Sequence, residues 1–238
     1  MQIEQVSTRS LAILIGALAL LLAVTAGADD GVREINQACA VNTGCFAGDA
    51  AGFPVQITGT GSYLLTGDLD AGVDQQAVTV SAGNVTLDLN GFQILGAGNA
   101  LRDGILLGGS ANAEIRNGTI EGFGRHGILV LSDSPSARVI DIRAVGQAFN
   151  GIELQSEGAL VRGCTASGNA IGIKATDGSL VLDSIMHNNS DVGLQIPTGS
   201  GYGRNVLSDN NGGDANPQVS GTGSEVAVNL CGANTTCP

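Results

Sequence analysis

The sequence predicts an all-β fold, a parallel β-helix in which short strands stack turn upon turn, and three observations predict it. A glycine followed by an aliphatic residue recurs at Gly104-Ile105, Gly127-Ile128, Gly151-Ile152, Gly172-Ile173 and Gly193-Leu194, at intervals of 23, 24, 21 and 21 residues. Within each unit the apolar side chains alternate: Ile105, Ile128, Ile152, Ile173 and Leu194 share a face with Leu107, Val130, Leu154, Ala175 and Ile196. A period of two marks a strand. The composition, 37 glycines and 3% aromatics with no Trp in 238 residues, resists a helical bundle.

From the N-terminus, Leu11 to Val24 is an unbroken apolar run of 14 residues, followed by Thr25, Ala26, Gly27 and Ala28, the small-x-small ending that suits a signal peptidase. Residues 1–28 read as a secretory signal peptide. A spanning helix needs about 20 apolar residues and a charged stop, and Asp29 and Asp30 are poor anchors.

Export makes the cysteines interpretable, because disulfides persist in oxidising compartments. Cys39 and Cys45 lie near the mature N-terminus and Cys231 and Cys237 at the C-terminus, so two local bridges are the simplest pairing. About eight turns at ~4.8 Å separate the ends by about 40 Å, whereas a disulfide spans only about 4.4–6.8 Å between Cα atoms. Zinc has little to bind, with no CxxC pair and only His126 and His187 in the chain.

Residues 29–54 are expected to form a cap with a local disulfide. Val32, Ile35 and Cys39 fall on one side of a short helix that would plug the open end of the solenoid. Residues 55–210 carry the repeats. A second apolar column, Ile115, Val139, Val161 and Val181, is followed three residues on by Gly118, Ile142, Cys164 and Ser184. Between them stand Asn117, Asp141, Gly163 and Asp183, the types that adopt the left-handed conformation where a chain bends sharply. One such turn cannot bury its apolar face alone, but a stack can. Hairpins at Asn90-Gly91, Asn117-Gly118 and Asn150-Gly151 would give an antiparallel sandwich, yet hairpins do not explain a register repeating every 21 to 24 residues. Residues 211–238, rich in Gly and Asn, are expected to form irregular C-terminal turns and a disulfide-closed tail.

The segment Val85-Thr86-Leu87-Asp88-Leu89-Asn90-Gly91-Phe92, the Gly-Ile turns, and the flanks at residues 35–39 and 231–238 resemble one known group. The chain is similar to the right-handed parallel β-helix repeat proteins of the pectate-lyase-like (pectin lyase fold) superfamily, and to a set of exported bacterial members within it. The resemblance covers most of residues 55–210. It implies a right-handed parallel β-helix of about eight turns with a short N-terminal capping helix. Relatives with this fold include polysaccharide lyases, polygalacturonase-like hydrolases, epimerases, tailspike enzymes and adhesive proteins, so fold alone decides no activity.

The outward column between the two inward positions is Leu106, Leu129, Glu153, Lys174 and Gln195, which holds one carboxylate. Glu153 beside Lys174 reads as a surface ion pair worth about 0–1 kcal/mol. Arg125-His126-Gly127 is similar to the Gly-His-Gly element of polygalacturonase-like enzymes, but Arg125 fills the first glycine's place and no Asn-x-Asp element precedes it. His126 therefore reads as a polar turn residue. A calcium-dependent lyase needs clustered carboxylates and a cationic base. Asp103, Asp133, Asp141, Asp177, Asp183 and Asp191, with Arg138, Arg143 and Arg162, supply the types, although most of these acids read as solvated turns. Cys164 lies in an inward column and is expected to be a buried, inert thiol.

Sugar rings stack on flat aromatic faces, and only Phe46, Phe53, Phe92, Phe123, Phe149, Tyr63 and Tyr202 exist to provide them. A net charge of -12 with no basic stripe disfavours nucleic acid. No catalytic or metal residue is assigned, and calcium is the one cofactor left open. The expectation is a secreted or periplasmic scaffold or surface-interaction protein, off the membrane once its signal is removed, that contacts a polysaccharide or a cell-surface component. The alternative is a carbohydrate-active enzyme, a polysaccharide lyase or glycoside hydrolase, acting on an acidic polysaccharide.

Overall fold

A computed structural model of the chain describes residues 31–98, 101–232 and 237. The signal peptide expected at residues 1–28 lies outside them. From Val32 onward the chain winds into a parallel β-solenoid with three columns of strands. The first column holds the Gly-Ile steps: Val55–Ile57, Val78–Val80, Ile105–Leu107, Ile128–Val130, Ile152–Leu154, Ile173–Lys174, Leu194–Ile196 and Val219–Gly221. Every neighbouring pair is parallel, and Ile105, Ile128, Ile152, Ile173 and Leu194 are Cα partners in turn. Among the described residues, these eight strands bound seven complete turns, close to the expected eight. The second column begins at Val32–Ile35 and ends at Ser224–Glu225, and the third runs from Leu69–Asp70 to Leu230–Cys231. Strands Glu114–Glu121 and Arg138–Val145 pass through both of these columns without a break.

The bends are where residue type predicts them. Asn117, Asp141, Gly163 and Asp183 all have φ between 52° and 67°. The repeated Gly-Ile glycines answer a different need. A Cβ on Gly151 would stand 2.6 Å from the Gly172 carbonyl oxygen, and one on Gly172 equally close to that of Gly193. Close approach of successive turns, rather than backbone dihedral freedom, excludes a side chain here.

Aliphatic stacks fill the interior, but one corner is polar. The Gln147 N–H donates to Asn169 Oδ1 (2.9 Å), the Asn169 N–H to Asn189 Oδ1 (3.0 Å), and the Asn189 N–H to Asn210 Oδ1 (3.0 Å). Each Asn amide donates back to a carbonyl one turn below, of Ala144, Ala166 and Met186 respectively. A sharp corner strands backbone groups that no strand can pair, and buried groups of this kind must find partners. Gln218 closes this ladder by accepting from the Asn210 N–H (3.1 Å).

Two segments differ from expectation. Val32–Ile35 is a strand paired with Gly61–Leu65, not part of the capping helix, which is Gln37–Asn42. Asn36 is the reason: its side chain caps the helix by accepting from the Cys39 N–H, so the helix starts after it, and β-branched Val32 and Ile35 suit the pleat. At the other end, Val219–Gly221, Ser224–Glu225 and Leu230–Cys231 continue all three columns past residue 210. Residues 209–217 form an excursion whose ends the Asn210–Gln218 hydrogen bonds hold together. The disulfides are local: Cys39 pairs with Cys45 and Cys231 with Cys237, with Cα atoms 4.7 and 5.2 Å apart.

Candidate functional site

The outward column of the Gly-Ile face runs in register through Leu106, Leu129, Glu153, Lys174 and Gln195. Alternation makes these side chains outward, yet Leu129 and Glu153 are buried. Glu153 is therefore not half of a surface ion pair. Its side chain is 5% exposed while that of Lys174 is 41% exposed, and Lys174 Nζ donates to Glu153 Oε1 at 3.1 Å. The second oxygen, Oε2, accepts from Asn150 Nδ2.

Successive turns extend this contact into a network. Arg125 donates to Asp103 Oδ2 (3.3 Å), the His126 N–H donates to Asp103 Oδ1 (3.2 Å), and the Asn150 N–H donates to His126 Nδ1 (3.3 Å). His126 is 6% exposed, a buried side chain rather than a polar turn residue. Burial is the leading cause that lowers its pKa to about 4, with help from the Arg125 and Lys174 charges, against the opposing pull of Glu153. Burial likewise pushes Asp103 above the usual carboxylate range, against the attraction of Arg125. With Nδ1 accepting, the neutral imidazole carries its proton on Nε2.

The chemical inventory is thus two buried carboxylates, a neutral imidazole and two cations. All four carboxylate oxygens are engaged, and the two ion pairs cancel in charge. Asp133, Asp141, Asp177, Asp183 and Asp191 stay exposed and outside this network, as do Arg138, Arg143 and Arg162. Among the described residues, no three His, Cys, Asp or Glu side chains are grouped to hold a metal ion. Cys164 is buried, donates to the Val139 and Arg162 carbonyls, and has its thiol pushed up to about 12 by burial.

The corner after the third column carries a second feature. An open cleft of about 910 Å³ is lined by Ala148, Ala170, His187, Asn188, Ser190 and Asp209, with Gly212 and Gly213 of the 209–217 excursion forming a wall. Phe149 follows Ala148 in the chain, its carbonyl accepts from the Ala170 N–H (2.7 Å), and its ring meets the His126 ring edge-on at 5.9 Å. Among the described residues it is the one exposed aromatic, at 46%. Phe123, Tyr63 and Tyr202 are buried, while Phe46, Phe53 and Phe92 pack partly buried against the core.

Sequence reasoning missed both the Asn ladder and the burial around Asp103. The ladder had a signal, since Gln147, Asn169, Asn189 and Asn210 recur at 22, 20 and 21 residues. The burial of an outward carboxylate had none, because it depends on neighbouring turns. In comparison with known proteins, the model of a family described as a right handed beta helix region matches residues 79–236. Comparison with curated proteins and with solved structures returned no match.

Proposed function

The chain belongs to the right-handed β-helix family, and from that premise we propose that it is an exported, noncatalytic scaffold whose side faces contact a partner at the cell surface or outside it. The observation that carries this reading is the closed charge network. A general base must come within reach of substrate, and the Asp103 and Glu153 carboxylates are buried, each oxygen holding a hydrogen bond within the protein. Export is supported by the apolar run from Leu11 to Val24 and by two local disulfides, which endure in oxidising compartments.

The rival reading, a carbohydrate-active enzyme, has one observation in its favour. Shifted titrations at Asp103 and His126 cluster in one place, as they do in active sites. Structural ion pairs shift titrations in the same way, and hydrolysis of a glycosidic bond needs two carboxylates flanking that bond. The deciding experiment incubates the mature protein with polygalacturonate, with calcium and with chelator, from acidic to alkaline pH. Ultraviolet absorbance reads unsaturated products and a reducing-end assay reads hydrolysis. The scaffold reading expects neither signal. Turnover that Glu153→Gln abolishes would replace it with the enzyme.

A further inference from the structure

Lys174 is the one lysine in the chain; the other basic side chains, the two histidines apart, are arginines. That lysine stands against a carboxylate which also holds a carboxamide. Glu153 accepts from Lys174 Nζ on Oε1 (3.1 Å) and from Asn150 Nδ2 on Oε2. We propose that these three side chains form a self-modification site, in which Lys174 and Asn150 condense into an intramolecular amide while Glu153 carries the protons. Glu153 and Lys174 are Cα partners on consecutive turns, so the bond ties one turn covalently to the next. It stands whatever the side faces contact.

Such a condensation needs an amine, a carboxamide and a proton carrier between them. One carboxylate binds the amine through one oxygen and the carboxamide through the other, which holds the reacting groups side by side. The Lys174 ammonium passes one proton to Glu153 Oε1, and the freed Nζ attacks Asn150 Cγ. Glu153 relays a second proton from Nζ to Nδ2, the Cγ–Nδ2 bond breaks, and ammonia departs. Nζ and Cγ end joined as an amide, and Glu153 ends protonated. No oxidant, reductant or other co-reactant takes part.

The surroundings favour these steps. Asn150, Glu153, His126 and Leu129 are all buried, and burial favours neutral products over the starting ion pair. At an Asn-Gly step the competing nucleophile is the glycine nitrogen, which closes a succinimide. Here the Gly151 N–H donates to the Ile171 carbonyl (2.9 Å), so that nitrogen is held for pairing rather than attack. Lys174 itself is 41% exposed, and water competes for its ammonium. The reaction is therefore slow: freshly made protein holds the ion pair, and the amide accumulates on ageing.

The test is mass spectrometry of the full mature chain, fresh and after weeks at mildly alkaline pH, intact and digested with trypsin. The aged protein is expected to be lighter by one ammonia. Trypsin should no longer cut after Lys174, and residues 144–162 should emerge joined to residues 163–204. Lys174→Arg keeps a cation on Glu153 but lacks the amine, so it should keep its full mass. Glu153→Gln keeps both neighbours without the base and should slow the bond about a hundredfold. A cooperative thermal melt establishes that each variant folds, and Lys174→Arg decides alone if Glu153→Gln does not. Full mass in the aged wild type, with cleavage after Lys174, would overturn the site. So would equal rates in wild type and Glu153→Gln, or an ammonia loss that persists in Lys174→Arg, the mark of a succinimide at Asn150-Gly151.

Discussion

Glu153 and Lys174 face each other on consecutive turns, and the ion pair between them joins a carboxylate that is 5% exposed to an ammonium that is 41% exposed. The burial is one-sided, so the desolvation cost falls on Glu153 while water still solvates its partner. Leu129, the preceding member of the column, is buried too. This stretch of outward face is a small second core, and its charged members act as a unit with Asn150, His126 and Asp103.

Acid should loosen this unit through His126. Its folded pKa is about 4 against an ordinary 6.5, so between those values the unfolded chain holds a proton that the folded chain does not. The stability from neutral His126 is complete above about pH 6.5, falls as pH drops through the window, and levels off below about 4, for a loss of at most about 3 kcal/mol. Asp103, with its pKa raised, acts in the opposite sense. Urea unfolding across this range, wild type against His126→Gln, isolates the His126 contribution as the difference in slope. Equal slopes would contradict it.

The two kinds of glycine should respond differently to a methyl group. Gly151→Ala pushes a Cβ against the Gly172 carbonyl, a backbone atom that cannot rotate away, and should cost about 2–4 kcal/mol. Gly146 has φ 68° with nothing within 4 Å of its would-be Cβ. Gly146→Ala should cost only the left-handed penalty, about 1–2 kcal/mol. Chemical denaturation of both variants checks the ranking.

The Asn ladder should tolerate no gap. Asn189→Ala leaves the buried Asn169 N–H without its acceptor and removes one donor from the Ala166 carbonyl, at about 1–3 kcal/mol for the orphaned N–H. Ser190→Ala, one residue on and exposed, should stay within about 0.5 kcal/mol of wild type. Thermal melts of the two variants give the comparison.

The solenoid was legible because stacked turns write their register into the chain. Ile128, Ile152 and Ile173 are spaced by one turn each, and Asn117, Asp141 and Asp183 mark the bends by residue type. The candidate site was not. Alternation reports which way Glu153 points but not what lies over it, and that depends on Asn150 and on Lys174 one turn away. Phe149 is one of seven Phe and Tyr residues in the chain, and nothing in its spacing separates it, exposed at the corner, from the six that are buried or partly buried. Asn169 and Asn189 resemble solvated turn residues because a polar side chain at a bend is usually wet. Here the corner's stranded backbone groups draw them inward.

The claim that the buried charges serve the fold is tested most directly by a double-mutant cycle at Glu153 and Lys174, read as unfolding free energy at neutral pH. Lys174→Leu alone strips the counter-charge from a buried carboxylate and should destabilise by about 2–4 kcal/mol. Combining it with Glu153→Leu extends the aliphatic run of Leu106 and Leu129 along the same column. The account predicts that the double variant recovers to within about 1 kcal/mol of wild type. A double variant as unstable as Lys174→Leu would contradict it.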